Sequence, residues 1–252
     1  DQMIDRAAEE KHNRLGERLG INVPTEYFNP ASGVKLSVCI PHAQTLTFRT
    51  ARWEVNMRKT AGILSSLHHC GESMARVFDV RREYEEYKRQ SQEAGAVLYP
   101  DFVQMDEWFY ELMNRLEVLG WELCPCHNDL VPENFIRDRQ GRIYLIDWEY
   151  AGSNDPMWDI GSHFLECEFT AKDEQVYLQY YYGKGAEEAF LARQMEKIRI
   201  FQMSQDILWS LWTAIKEAKG EDFGSYGRDR LARAAKKKKE YIEIYGQTKA
   251  RK

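Results

Sequence analysis

Apolar positions along the chain change their period several times, and each change predicts an element. Ile4, Ala7, Ala8, Leu15 and Leu19 recur at helical spacing and predict a helix over residues 3–19, stopped by Gly20. The stretch "TEYFNPASGVKLSVCI" then shortens to two strand-like runs, Glu26–Phe28 and Val34–Ile40. Turn-forming residues Asn29–Gly33 join them, and Pro41 ends the second. Helical spacing returns over about residues 50–70, 79–94 and 101–119. Apolar runs on either side of "RDRQG" predict a β-hairpin from Asn134 to Asp147. Residues 157–169, 171–183 and 186–218 are helical by the same criterion, and the loop "GEDFGSYG" leads to a final basic helix. No internal repeat or low-complexity linker interrupts this order. It describes a small mixed α/β piece followed by a helical part that holds one hairpin.

Composition narrows the class. A chain of 252 residues, 43% hydrophobic and 30% charged, has ample apolar material for a folded core. No apolar run approaches the roughly 20 residues of a membrane span, and "DQMIDRAAEEKHNRL" does not have the form of a secretory signal. Five cysteines without regular spacing suit reduced thiols and a cytoplasmic location better than a disulfide framework. A net charge of −5 argues against general nucleic-acid binding. The basic run "RLARAAKKKKEY" reads as a solvated helix face.

One stretch departs from this patterning. "CPCHNDLVPENF", residues Cys124–Phe135, sets His127, Asn128, Asp129, Glu133 and Asn134 where the flanking sequence enters a core. If the hairpin turn centres on Arg139–Gln140, Arg137 pairs with Arg142 and Asn134 lies opposite Leu145. Asn134 and Asp147 are then diagonal neighbours, roughly 7–8 Å apart at the open end. Their oxygens suit Mg²⁺, which takes carboxylate and amide oxygens together with phosphates and waters. Asp129, five residues before Asn134, could accept a proton from a substrate hydroxyl beside a metal-bound phosphate. Taken singly, these residues are ordinary turn formers. H-x-D-x-x-x-x-N, a short hairpin and then "IDWE" together fit a phosphotransferase loop better than chance turns. A zinc site from Cys124, Cys126, His127 and His163 is disfavoured, because structural sites usually begin with cysteines separated by two to four intervening residues and C-x-C has one.

Trp209 and Trp212 stand three apart beside the apolar face formed by Leu208, Leu211 and Ile215. They fit core packing or an aromatic wall for a cation, at ~0.5–2 kcal/mol per indole face. Glu166 and Glu168 follow the metal loop closely enough to set a carboxylate near the chemistry. Acidic and aromatic walls together would select a hydroxyl-bearing cation.

"HNDLVPENF" and "LIDWEYAG" resemble the catalytic and metal loops of the choline/ethanolamine kinases, relatives of the aminoglycoside phosphotransferases. The resemblance covers nearly the whole chain. It implies an α+β, protein-kinase-like two-lobed fold with a mainly helical C-terminal lobe. It also implies ATP-dependent phosphorylation of an alcohol, with Asp129 as base and Asn134 and Asp147 as Mg²⁺ ligands. By the same resemblance His127 and Asp159 support the loop, and Glu166, Trp209, Trp212 and, less closely, Tyr226 bind the substrate. Choline is the preferred substrate. Ethanolamine, thiamine or aminoglycoside kinases and an inactive cation-binding relative are the alternatives. Glu168 has no matching role.

At the amino end, no glycine-rich loop precedes residue 20, so the N-terminal lobe is expected to be incomplete in this sequence, with an upstream segment in the native chain. Glu9 matches the acidic partner of the family's phosphate lysine, and equally fits an exposed helix charge. Val38 and Ile40 match the hinge that binds adenine through its backbone. The expected division is a nucleotide-binding remnant over 1–41 and a catalytic and substrate-binding lobe over 42–252.

Overall fold

The computed structural model describes residues 4–246 and divides the chain into two compact units. The first comprises residues up to 78 together with 122–188; the second comprises 79–121 and 189 onward. Among the described residues, no helix is long and apolar enough to cross a membrane.

The first unit begins with α1 (Arg6–Arg18), whose N-terminal amides are capped by the Asp5 carboxylate. An antiparallel hairpin follows, β1 (Thr25–Asn29) with β2 (Val34–Ser37). The second expected strand therefore stops at Ser37, three residues before Ile40. The two-residue β3 (Gln44–Thr45) leads to α2 (Phe48–Ala51) and α3 (Glu54–His68). β4 (Cys124–Cys126) pairs with β7 (Gly152–Asn154) and flanks the hairpin β5 (Phe135–Arg137) and β6 (Ile143–Leu145). β3 joins that hairpin as a third strand. α6 (Pro156–Glu166) starts at an Asp155 cap with Pro156 in the first turn, and α7 (Ala171–Tyr182) starts at a Thr170–Asp173 capping box. Trp148, Trp158, Phe135, Phe164 and Tyr177 are fully buried in this unit, each worth about 1.5–3 kcal/mol by area.

The hairpin register corrects the sequence reading. Arg137 pairs with Ile143 and Phe135 with Leu145, so Asn134 falls opposite Ile146, whose amide donates to the Asn134 carbonyl. The turn is one residue longer than expected because Gly141, at φ +82°, adopts the left-handed conformation and adds a residue to the loop. Asp138 locks this turn by accepting from the Arg142 amide through its carboxylate.

The second unit is helical: α4 (Val80–Glu93), α5 (Phe102–Leu119), most of the 31-residue α8 (Glu188–Ala218), and α9 (Tyr226–Tyr245). Leu208, Leu211 and Ile215 of α8 are buried, as their common face requires. Asp206, fully buried on the same helix, accepts from Arg230 and Arg233 of α9.

Candidate active site

Two non-glycine residues with φ of +68°, Asn128 and Asp147, bracket the site. Such residues hold a left-handed backbone only where surrounding contacts impose it. At Asn128 those contacts are explicit. The buried Asp159 carboxylate accepts from the His127 amide at 2.8 Å and the Asn128 amide at 2.7 Å. The Asn128 side chain donates to the Tyr150 carbonyl at 3.0 Å, and Asn154 donates to its Oδ1. His127, kept neutral by burial, donates from Nε2 to the Ile146 carbonyl at 2.9 Å and so ties the loop to the end of β6. A residue that sequence patterning missed completes the brace. His68, at the end of α3, donates from Nε2 to Asp159 at 3.0 Å and accepts at Nδ1 from the Tyr181 hydroxyl at 2.7 Å.

The loop presents Asp129, half-buried, with the Asn134 amide donating to its carbonyl at 2.9 Å and its carboxylate at 3.1 Å. Both bonds use Asn134 Nδ2, which leaves Oδ1 as that amide's acceptor. Burial and then the charge of Asp147 push the Asp129 carboxyl up to about 7, against the lowering pull of Asn134. Glu166 and Glu149 add to the rise. Four carboxylates thus act on one small volume. Glu149 is itself raised by burial and by Asp147, and Arg6 partly offsets this at 3.3 Å. Such a concentration of negative charge suits a divalent cation, and the Asn134 and Asp147 oxygens are of the hard type Mg²⁺ takes. Asp147 is aimed by its left-handed backbone, not by the strand pairing the sequence reading invoked.

A cavity of about 490 Å³ adjoins Asp147, lined by Val38, Cys39 and Ile40 on one side and Ile136 and Ile146 on another. α1 lies over the turn after Asp147: a Cβ on Gly16 would come within 2.5 Å of the Trp148 ring, so only glycine permits the approach. α1 also carries Glu9, which is buried and accepts from Arg6 at 2.6 Å and Lys35 at 3.0 Å. It is not an exposed helix charge.

In the second unit, Trp209 and Trp212 meet edge to face, with centroids 6.0 Å apart, and Phe223 packs edge-on against Trp212 at 5.1 Å. Neither indole is fully buried. Tyr226 opens α9 instead of lying in the preceding loop, and its hydroxyl accepts from Arg230 at 2.6 Å. Glu166 ends α6, whereas Glu168 lies beyond that helix and is exposed.

The residues of the disfavoured zinc set are otherwise engaged. His127 bonds the Ile146 carbonyl, and His163 sits among the rings of Phe135, Phe169 and Tyr177. Donor atoms of His68, Cys126 and Asp159 do lie within 4.8 Å of one another. The Asp159 oxygens and the His68 ring nitrogens already satisfy each other, the loop amides and Tyr181.

The sequence profile of the choline/ethanolamine kinase family matches residues 42–235. The chain belongs to the choline/ethanolamine kinase family. Protein LicA of Haemophilus influenzae is 32% identical over 241 residues, covering 93% of this kinase and 88% of the relative. The crystal structure of choline kinase LicA from Streptococcus pneumoniae superposes with a TM-score of 0.83 at 37% identity, covering 93% of this chain and 80% of that one. A structure of LicA in complex with AMP gives 0.83 at 36% identity, covering 95% and 80%. The fold is the protein-kinase-like α+β fold of this family, and the enzyme is a kinase that phosphorylates an alcohol.

Proposed function

We propose that this kinase transfers the γ-phosphoryl group of ATP to the hydroxyl of choline. The observation that carries the reading is the Asp129 carboxylate, oriented by Asn134 and held near neutrality by burial and by Asp147. A carboxylate with that affinity for a proton is suited to act as a base. It accepts the choline hydroxyl proton while the hydroxyl oxygen bonds to the γ-phosphorus and ADP departs. Asp159, with His127, fixes the loop backbone so that Asp129 is presented in one orientation. Asn134 and Asp147 would hold Mg²⁺, which when bound neutralises phosphate charge. The cavity beside Val38 and Ile40 is read as the adenine site, with Glu9 ordering the adjoining charges. The AMP bound in a LicA structure supports nucleotide use. In this reading residues 1–41 contribute to nucleotide binding and the remainder to catalysis and substrate binding.

Choline is favoured over ethanolamine by the Trp209–Trp212–Phe223 corner. A trimethylammonium group has no N–H to donate, so its recognition rests on aromatic faces and diffuse charge. Tyr226 adds a further ring, and Glu166 contributes negative potential. A cytoplasmic setting, where ATP and reduced thiols coexist, suits the five free cysteines. The test is ADP release by the purified chain with choline, ethanolamine, thiamine and an aminoglycoside. Choline should give the highest kcat/KM. A higher value for another alcohol overturns the substrate assignment, and no turnover with any of them overturns the kinase reading of this chain.

A further inference from the structure

Side chains alternate between the two faces of a strand, so Cys124 and Cys126 of β4 project from the same face. Their sulfurs lie 3.7 Å apart. Two strand residues span about 6.6 Å between Cα atoms, near the upper end of the roughly 4.4–6.8 Å that a disulfide bridges. Cys124 is half-buried and open to a small oxidant, whereas Cys126 is fully buried. Burial pushes the Cys126 thiol up, so Cys124 is the sulfur that reacts first. The pair is tied directly to the catalytic loop. Cys126 precedes His127, whose amide donates to Asp159 at 2.8 Å. Its own S–H donates to the Asn154 carbonyl at 3.4 Å, and the Asn154 side chain donates to Asn128 Oδ1 at 3.0 Å. Both routes end beside Asp129.

We propose that Cys124 and Cys126 form a reversible disulfide on reaction with a hydroperoxide, and that closing it displaces the loop carrying Asp129 and slows phosphoryl transfer. The slowing rests on the reading of Asp129 as the base. In the first step the Cys124 sulfur, giving up its proton, takes one peroxide oxygen and becomes a sulfenic acid; with hydrogen peroxide the other oxygen leaves as water. The Cys126 sulfur then attacks that of Cys124, the S–S bond forms, and the hydroxyl leaves with the Cys126 proton as a second water. Peroxide gains the two electrons the thiols lose, and a dithiol reverses the change. Closure brings the sulfurs from 3.7 Å to about 2.0 Å and removes the S–H donated to Asn154. Displacements of this order at a catalytic group can cost up to about 100-fold in rate.

The test treats the purified chain with hydrogen peroxide, removes the excess with catalase, and maps peptides by mass. A Cys124–Cys126 disulfide should form, hydrogen exchange over residues 127–134 should rise, and kcat for ADP release should fall about 10-fold or more. Dithiothreitol should restore all three. Cys124→Ser should keep basal activity within about twofold and resist peroxide. The wild-type mass and exchange measurements need no variant, so they decide the matter should the serine variant fold poorly. No such disulfide, unchanged exchange, or equal peroxide inhibition of Cys124→Ser overturns the proposal and leaves the Asp129 reading standing. A disulfide that raises exchange without lowering kcat overturns the Asp129 reading, and the inference with it.

Discussion

Asp129→Asn should give a slower and, above neutral pH, more stable protein. The replacement keeps the shape, and its amide oxygen still accepts from Asn134, so the loop geometry survives. It removes the proton acceptor, for which a loss of ~10²–10⁴ in kcat is expected. Stability should move the other way. The Asp129 carboxyl lies near 3.8 ordinarily and at about 7 in the fold, raised by burial and by Asp147. A carboxyl group raised in this way favours the folded state while protonated. Its contribution is intact below pH about 4 and is lost as pH climbs through about 7. The full shift corresponds to ~4 kcal/mol. Asp129 is only half-buried and its charged neighbours are screened, so about 1–2 kcal/mol is the realistic size. Asparagine does not ionise and carries no such penalty. In EDTA, the Tm difference between variant and wild type should therefore grow by a few degrees from pH 5 to pH 8. Steady-state ADP release supplies the kinetic half of the assay. An activity loss under threefold in the folded variant would refute Asp129 as the base. A Tm difference independent of pH would refute the electrostatic account of its environment.

Asp147→Ala should abolish the Mg²⁺-dependent part of ATP affinity; titration with and without EDTA reads this directly, and unchanged Mg·ATP binding overturns the metal assignment. Trp209→Ala and Trp212→Ala, once shown to fold, should each raise KM for choline more than for ethanolamine, by roughly 1–2 kcal/mol in apparent binding. A wild-type choline KM in both would identify the pair as packing. Glu166→Gln should weaken both substrates alike, since attraction through charge serves either headgroup; a loss confined to one substrate contradicts that. His68→Ala leaves a fully buried Asp159 oxygen short of a donor and should cost about 1–3 kcal/mol of stability, with kcat lowered more than KM is raised. Denaturant melts and kinetics of the same preparation check both effects.

The candidate stretch around Asp129 was legible because polar side chains crowd a segment whose neighbours belong to a core, and because the motif and the hairpin constrain each other over some twenty residues. Helix positions followed from periodicity and from caps such as Asp5, Asp155 and Thr170. β3, β4 and β7 did not. Runs of two or three residues such as "CPC" and "GSN" carry no period, and their pairing is decided by partners up to ninety-three residues away in sequence. The hairpin register failed at one residue, Gly141, whose left-handed backbone lengthens the turn. His68 is ninety-one residues from Asp159, a distance over which a single sequence gives no hint of contact.

The left-handed backbone at Asp147 bears on which sequences can inhabit this site. Glutamate there would preserve charge and oxygen ligands, and by chemistry alone would pass as a mild exchange. Yet residues that visit this region of conformational space without much cost are glycine, asparagine and aspartate, whose short polar side chains bond locally. A longer side chain at φ +68° must either strain the peptide or swing the turn carrying Trp148 away from Gly16. Backbone geometry at positions 128 and 147 therefore favours a small set of residues independently of any catalytic requirement. Glycine at 147 should be tolerated better than glutamate for folding, and a library screened for folding alone should already show that preference.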